Sequence, residues 1–174
     1  FRKLSYVAII ISDVLDRITW RVRPYERETG STDAFMNRAL ARMVRAVETM
    51  GTELDLSKLL APLRDIAAQA RTLMDPQAAR RPRIGIIGEI YLRTHLDSNQ
   101  DIIRHLEAFG GEVVNASLGE WVNFVNAESI RKTEREGGKA WRERDKSSLK
   151  RLLRQWLGLQ IEKYYQAWRQ HQVY

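Results

Sequence analysis

Apolar residues recur at intervals of three and four positions in three stretches of the first half of the chain. This spacing places side chains on one face of a helix. It predicts helices over residues 4–22, from residue 31 to about 50, and over 57–74, the first of them ended by Pro24. The residues expected to share these helix faces include Val7, Ile11, Leu15, Phe35, Leu40, Met43, Val44, Leu59, Leu63 and Ile66.

The pattern then changes to short, continuously apolar runs. Residues 83–88 read Arg-Ile-Gly-Ile-Ile-Gly, which predicts a strand buried on both faces. A loop of about ten residues, a helix through residues 102–109 and a second strand at residues 112–115 are expected to follow. A strand, a helix and a strand within so few residues form a βαβ unit, so the strands should be parallel. Two strands make only part of a sheet, and the fold class is therefore α/β, a partial Rossmann-like sheet with a predominantly helical surround.

The C-terminal third is basic and rich in aromatic residues. A short helix is predicted from about Gly119, followed by a basic hinge that contains glycine and by a long amphipathic helix. Its apolar stripe comprises Leu149, Leu152, Leu153, Trp156, Leu157, Ile161, Tyr164 and Trp168, which we expect to contact the core or a partner helix. The chain is thus expected to consist of a helical segment (1–80), a βαβ unit (81–128), and a hinge with a long helix (129–174).

Composition narrows the classes of protein that this chain can represent. The chain has no cysteine, which excludes disulfides and thiolate metal sites within it. Its net charge of +7 comes from residues 131–169, where twelve Lys or Arg face five Asp or Glu. This basic region is either a solvated helix or a module that docks an anionic ligand, nucleic acid or a partner domain. We recognise no signal peptide or membrane-length apolar run and expect a cytoplasmic protein. Because two strands make a poor sheet, we expect the chain to be a piece of a larger protein, and its start at Phe1 suggests an excised segment or a missing leader.

Two acidic residues follow the predicted strands, at the edge where ligands bind in open α/β sheets. Glu89 comes after the first strand, and Glu120 comes after the second. If they share a crevice, repulsion should raise the pKa of one of them, unless Arg93 relieves it. The alternative is that both only cap loops or helix starts. No dinucleotide-binding or Walker A motif, serine nucleophile or metal-ligand spacing is present, so we expect no catalysis and no metal in the isolated chain.

The segment from Pro82 to Arg93 resembles a motif of the 2-hydroxyacyl-CoA dehydratase family. It is particularly similar to the proteins described as acyl-CoA dehydratase activase-related, or activators of 2-hydroxyglutaryl-CoA dehydratase. The resemblance spans about residues 4–125 and continues through Arg23-Pro24-Tyr25-Glu26, Gly30, Asp33, Ser98 to Asp101, Leu106-Glu107, Gly110 to Val113 and Glu120-Trp121.

The resemblance implies a Rossmann-like domain of a protein that handles a cysteine-ligated [4Fe–4S] cluster. In that family an ATP-driven activase passes an electron to a dehydratase, which removes water from a 2-hydroxyacyl-CoA. Since this chain lacks cysteine, the cluster and the ATP site would lie elsewhere in a parent protein. The partners implied are the other domains of the parent, an acyl-CoA substrate and a second copy, rather than nucleic acid or a membrane. The matched positions imply a turn at Arg23, Pro24, Tyr25 and Glu26, and a crevice formed by Gly88, Glu89, Tyr91, Arg93, Asn99, Glu120 and Trp121.

Overall fold

The computed structural model describes residues 2–50, 55 and 57–173. These residues are mostly helical and include a small parallel sheet. They form two compact units, of which the first ends at Leu118 and the second begins at Gly119. In chain order the elements are α1 (Arg2–Val22), a 3-10 helix (Arg23–Tyr25), α2 (Ser31–Met50), α3 (Ser57–Thr72), β1 (Arg83–Ile86), α4 (Ile90–Thr94), α5 (Leu96–Asn99), α6 (Ile102–Ala108), β2 (Glu112–Asn115), α7 (Leu118–Arg142) and α8 (Lys146–Val173).

The hydrophobic core of the first unit lies between α1, α2 and α3. Seven of the ten core residues named above belong to it, and an eighth, Phe35, packs against it; Ala39 also belongs to it and was not among them. The prediction was wrong for Leu40 and Val44, which are 49% and 47% exposed. The core face of α2 instead carries Met36, Ala39 and Met43, at spacings of three and four residues. Leu40 and Val44 each stand one position beyond that face, where a helix turns by about 100°.

The strand–helix–strand prediction is confirmed, since β1 and β2 pair in parallel from Arg83 opposite Glu112 to Ile86 opposite Asn115. Helix α6 lies against β2. The turn between them brings Gly111 close to β1, where an added Cβ would lie 2.5 Å from Cδ1 of Ile84. A side chain here would force Cδ1 of Ile84 to move and would press against the carbonyl oxygen of Leu106, 3.0 Å from the added Cβ.

Two expectations for this region were wrong. The strand ends at Ile86 and is not buried on both faces: Gly85 is exposed, and Ile87, just beyond the strand, is 97% exposed. With only two strands among the described residues, part of one sheet face has no covering layer. The segment predicted as a long loop contains α4 and α5, which are too short for their period to be recognised in the sequence.

The second unit consists of α7 and α8. The residues predicted to form a hinge are helical, since α7 continues through Gly137 and Gly138 as far as Arg142. Each glycine costs about 1 kcal/mol of helix propensity, but the neighbouring Glu, Arg, Lys and Ala residues favour the helix. The chain turns at Arg144, which has a φ of 57°, and α8 begins at Lys146.

The apolar stripe predicted on α8 is only partly buried. Leu152 is buried, and Trp156 donates a hydrogen bond from Nε1 to Glu134 of α7 at 2.9 Å. Four residues at helical spacing are largely exposed, namely Leu153, Leu157, Ile161 and Tyr164. The side chain of Trp168 lies outside the described residues. Within the described part of the chain, none of the helices is both long and apolar enough to cross a membrane.

Candidate functional site

The 3-10 turn at residues 23–25 joins the three helices to the βαβ unit through a buried ion pair. The guanidinium of Arg23 donates from Nε to Oε2 of Glu107 at 2.6 Å and from Nη2 to Oε1 at 3.0 Å. Its Nη1 donates to Asp33 at 3.2 Å. Burial alone would lower the pKa of Arg23, but the hydrogen bonds and charges of Glu107 and Asp33 raise it. The bidentate geometry therefore fixes α6 against the end of α1.

Tyr25 makes the second link, to the first residue of β2. Its hydroxyl donates to Oε2 of Glu112 at 2.7 Å and accepts from the backbone N–H of Arg81 at 3.1 Å. The other carboxylate oxygen of Glu112 accepts from Arg21 and from Arg83. Burial would raise the pKa of Glu112, but the hydrogen bonds from Tyr25 and Arg21 lower it. This carboxylate therefore stays ionised in the folded protein.

The remaining residues of the turn prepare α2. Pro24 is buried, and the carboxylate of Glu26 accepts from the backbone N–H groups of Gly30 at 2.7 Å and Thr32 at 2.9 Å. These are N–H groups that a helix start leaves without partners. The predicted motif turn at residues 23–26 therefore has a structural role, because its contacts stabilise the start of α2.

A cavity of about 370 Å³ opens beyond the carboxyl end of β2, within the first unit. Its walls come from α1, the 3-10 turn, α4, α5, α6 and the residues that follow β2. The polar lining residues are Asp16, Thr19, Arg23, Arg93, Thr94, Asp101, Arg104 and Asn115. The apolar lining residues are Trp20, Leu96, Ile103, Ala116 and Leu118. A volume of this size is at the lower end of the range for small-molecule sites.

Arg93 is the buried cation of the cavity wall, with 8% of its surface exposed. Its Nε donates to the carbonyl of Gly88 at 2.9 Å, and its Nη1 donates to the carbonyl of Ala116 at 2.9 Å and to Oδ1 of Asn115 at 3.3 Å. Asn115, itself 4% exposed, donates back to the carbonyl of Arg93 at 3.3 Å. Among residues 2–50, 55 and 57–173, no carboxylate forms an ion pair with Arg93.

Other charged side chains of the cavity wall have charged neighbours. Arg23 is paired as described above, and Arg104 donates from Nη2 to Asp33 at 2.6 Å. Asp16 faces the cavity from α1, and its pKa is raised to about 6 by desolvation and by the charge of Asp13, against the opposing effect of Arg23. Asp16 is also exposed to solvent, which weakens the effect of its charge on stability.

The structure distributes the predicted crevice residues among different roles. Arg93 lines the cavity, and the carbonyl of Gly88 accepts a hydrogen bond from Nε of Arg93. The carboxylate of Glu89 accepts from the backbone N–H of Leu92 at 3.1 Å, so that it caps α4. Tyr91 is 56% exposed and stacks on His95 with ring centroids 4.8 Å apart. Asn99 donates to the carbonyl of Leu92 at 2.9 Å.

The predicted partner of Glu89 belongs to the other unit. Glu120 lies in the first turn of α7, and Trp121 follows it with 39% of its surface exposed. Glu89 was expected either to share a crevice with Glu120 or to cap a helix start, and its observed hydrogen bond is that of a cap.

The cavity residues that sequence reasoning missed are Asp16, Asn115 and Arg104. Asn115 ends β2, so its place at the carboxyl edge could have been inferred from the strand alone. Asp16 was signalled only by being acidic within a largely apolar helix. Arg104 carried no signal, because a basic residue on a helix is usually solvated.

Two other kinds of site find little support. A larger depression of about 1020 Å³ is lined by α7 residues alone, between Phe124 and Arg142, and one helix face cannot enclose a ligand. The described residues contain no cluster of three or more His, Asp or Glu side chains placed to hold a metal ion. Because the sequence has no cysteine, a cysteine-ligated cluster does not fit the donors of this chain.

The chain was compared with protein-family models, with curated proteins and with solved structures, and none of them matches it.

Proposed function

We propose that this chain is the ligand-binding segment of a larger iron–sulfur protein of the 2-hydroxyacyl-CoA dehydratase or activase-related type. In this proposal it supplies a Rossmann-like half-sheet whose crevice receives the acyl part of the substrate, while the highly charged CoA part stays outside it. The cluster and the ATP-dependent chemistry belong to other parts of the parent protein. The isolated chain binds and does not catalyse.

The observation that carries the proposal is the cavity beyond the carboxyl end of β2. In open α/β sheets, ligands bind outside the carboxyl ends of the strands, where the loops leave the sheet. This cavity combines apolar walls with a few buried polar groups, which is the usual composition of a small-molecule site. The resemblance through residues 82–93 supports the same location, because that segment ends at Arg93 in the cavity wall.

The side chains of the cavity are suited to binding rather than to reaction. Within the part of the chain that the structure describes, no hydrogen bond joins Asp16, the one strongly perturbed acid of the cavity, to a nucleophile or a histidine. Arg93 and Asn115 hold each other and the surrounding backbone. A site of this kind can position a substrate for a reactive group supplied by another domain.

Binding of a 2-hydroxyacyl-CoA to the chain, measured by isothermal titration calorimetry, tests the location. Thr19→Phe places a large ring in the cavity and should reduce affinity at least tenfold. Thr49→Phe is the matched control, since Thr49 is also a helical threonine whose hydroxyl bonds the carbonyl four residues back, but it is exposed on α2. Equal affinity of the Thr19→Phe variant and the wild-type chain would refute the assigned crevice.

The family assignment is tested separately on the anaerobically purified full-length parent. A [4Fe–4S] signal in electron paramagnetic resonance after reduction, with matching iron and acid-labile sulfide, supports a dehydratase or activase. A parent that binds no cluster would overturn that part of the proposal and leave only the binding segment.

A second function, a module that docks anionic partners, is favoured by the basic composition of α7 and α8. Residues 131–169 carry twelve basic and five acidic side chains, and Lys139, Arg142, Lys150, Arg151 and Arg154 are exposed. Binding of duplex DNA or heparin should then weaken steeply with salt, as counterion release requires. Fluorescence anisotropy between 50 and 200 mM salt, about the range over which such affinities collapse, measures this. Absent or salt-independent binding would remove this alternative.

A further inference from the structure

The guanidinium of Arg93 is held rigidly, yet it is incompletely used. Its Nε and Nη1 donate to Gly88, Ala116 and Asn115, and within the described residues no acceptor is bonded to Nη2. The residue is 8% exposed and lines the cavity. An Arg side chain has five N–H donors, so two of them are left for whatever fills the cavity.

The charge of Arg93 is also uncompensated. Taking an isolated charge out of water costs several kcal/mol, and buried charges are normally paired. The neighbouring cations satisfy this rule, because Arg23 pairs with Glu107 and Asp33, and Arg104 pairs with Asp33. Two carbonyl dipoles and an amide stabilise Arg93 in part, but none of these groups carries a charge.

A purely structural arginine would be expected to use its remaining donors on the protein. The three bonds of Arg93 do tie α4 to the end of β2, and they also fix the direction of the guanidinium before any ligand arrives. Rigid placement of this kind reduces the entropy lost on binding. The partner that is missing from the protein is a single negative charge with oxygen acceptors.

The rest of the wall limits the size and polarity of that partner. Trp20, Leu96, Ile103 and Leu118 give the cavity apolar surface, and the volume of about 370 Å³ accommodates a small organic molecule. Asp16 and Asp101 also line it and disfavour a ligand of high negative charge. A monoanion with an apolar body satisfies all of these conditions.

We infer that the cavity beyond β2 binds the carboxylate of a small organic acid, with Nη2 of Arg93 as the donor and the apolar wall around the hydrocarbon part. This inference rests on the location assigned under the proposed function and adds the chemical class of the group bound there. Carboxylate and phosphate share oxyanion chemistry, and the walls favour the carboxylate because it carries one charge rather than two.

Titration of the 174-residue chain with hexanoate and, separately, with inorganic phosphate distinguishes the two oxyanions by calorimetry. We expect hexanoate to bind, and we expect Arg93→Met to weaken it at least tenfold. Arg80→Met is the control, because Arg80 is exposed and the substitution changes the net charge equally. Unchanged binding in the Arg93→Met variant would overturn the inference, as would binding of phosphate but not of hexanoate.

Arg93→Met also removes three hydrogen bonds, so its folding is checked by circular dichroism. If the variant is unfolded, Thr19→Phe decides, since it fills the cavity and leaves the contacts of Arg93 in place. Loss of hexanoate binding in Thr19→Phe supports the site, and retained binding overturns it. Acyl-CoA binding that survives Arg93→Met would preserve the proposed function while refuting this inference. Hexanoate binding to this chain, together with a parent protein that holds no cluster, would support this inference while refuting the family assignment.

Discussion

The pair between Arg23 and Glu107 should contribute most of its stabilisation only while both partners are present. Their side chains are 11% and 8% exposed, and two parallel hydrogen bonds join them. Arg23→Met would leave the carboxylate of Glu107 buried with no side-chain cation bonded to it. Glu107→Leu would leave Arg23 with only Asp33, at 3.2 Å.

The expected magnitude follows from this burial. Removing one partner of a buried ion pair costs about 3–5 kcal/mol, because the remaining charge keeps its desolvation penalty. The double variant Arg23→Met/Glu107→Leu removes both charges and should cost only about 1–2 kcal/mol, chiefly through lost packing and the weakened contact to Asp33. Two single losses that sum to far more than the double loss define a coupling of at least about 2 kcal/mol.

Urea unfolding followed by far-ultraviolet circular dichroism measures all four species of this cycle. The single variants should shift the midpoint downward by about 1–3 M, given the usual slopes for chains of this size. The exposed pair of Arg42 with Asp65, at 2.5 Å and 48% and 45% exposed, is the control. Arg42→Met should cost less than about 1 kcal/mol. Single losses below 1 kcal/mol at the buried pair, or additive losses in the cycle, would refute the reasoning.

Three further substitutions test other contacts of the first unit. Glu26→Gln should destabilise the chain by about 0.5–2 kcal/mol at pH 7 by weakening the cap of α2. Because hydrogen bonds lower the folded pKa of Glu26, this difference should shrink progressively in urea unfolding experiments as pH falls below 4.5. Gly111→Ala should cost about 1–3 kcal/mol by displacing Ile84 and crowding the carbonyl of Leu106, seen as a lower melting temperature; an unchanged value would contradict these contacts. Asp16 has a pKa raised to about 6, so its charge destabilises the fold above that pH and is relieved as pH falls towards 4. Asp16→Asn should therefore stabilise the chain at pH 8 by about 1 kcal/mol or less, allowing for exposure, and unfolding curves at pH 8 and pH 4 should show a much smaller gain at the lower pH.

The extent of the helices and strands was largely predictable, because it depends on local periodicity. The three-and-four spacing of α1 and α3 and the run at Glu112–Asn115 each determined an element with little error. The short helices α4 and α5 were missed, since five and four residues show no period. The hinge expected at Gly137 and Gly138 is helical, because the flanking residues outweigh the propensity of two glycines.

The candidate site was harder to predict, because it depends on contacts between distant segments. Arg93 was identified from the motif that contains it, and its position after the first strand agreed with the edge rule. Asp16 and Arg104 approach the cavity from helices that lie far from it in sequence, and no local pattern indicates this. Glu107 and Glu112 are buried partners of Arg23 and Tyr25, and no local pattern distinguishes them from surface carboxylates.

The contacts of the turn at residues 23–25 also bear on how the chain folds during synthesis. Arg21 and Tyr25 meet Glu112 across 91 and 87 residues, and Arg23 meets Glu107 across 84. Contacts this distant in sequence slow folding, because a long loop must close before they form. After residue 80 leaves the ribosome, about 30 more residues must follow before Glu112 is available, which takes about 2–6 s at ordinary elongation rates. During that interval Arg21 and Tyr25 lack Glu112, and Arg23 has only Asp33, so the three-helix segment should reach its final packing only after β2 has been synthesised.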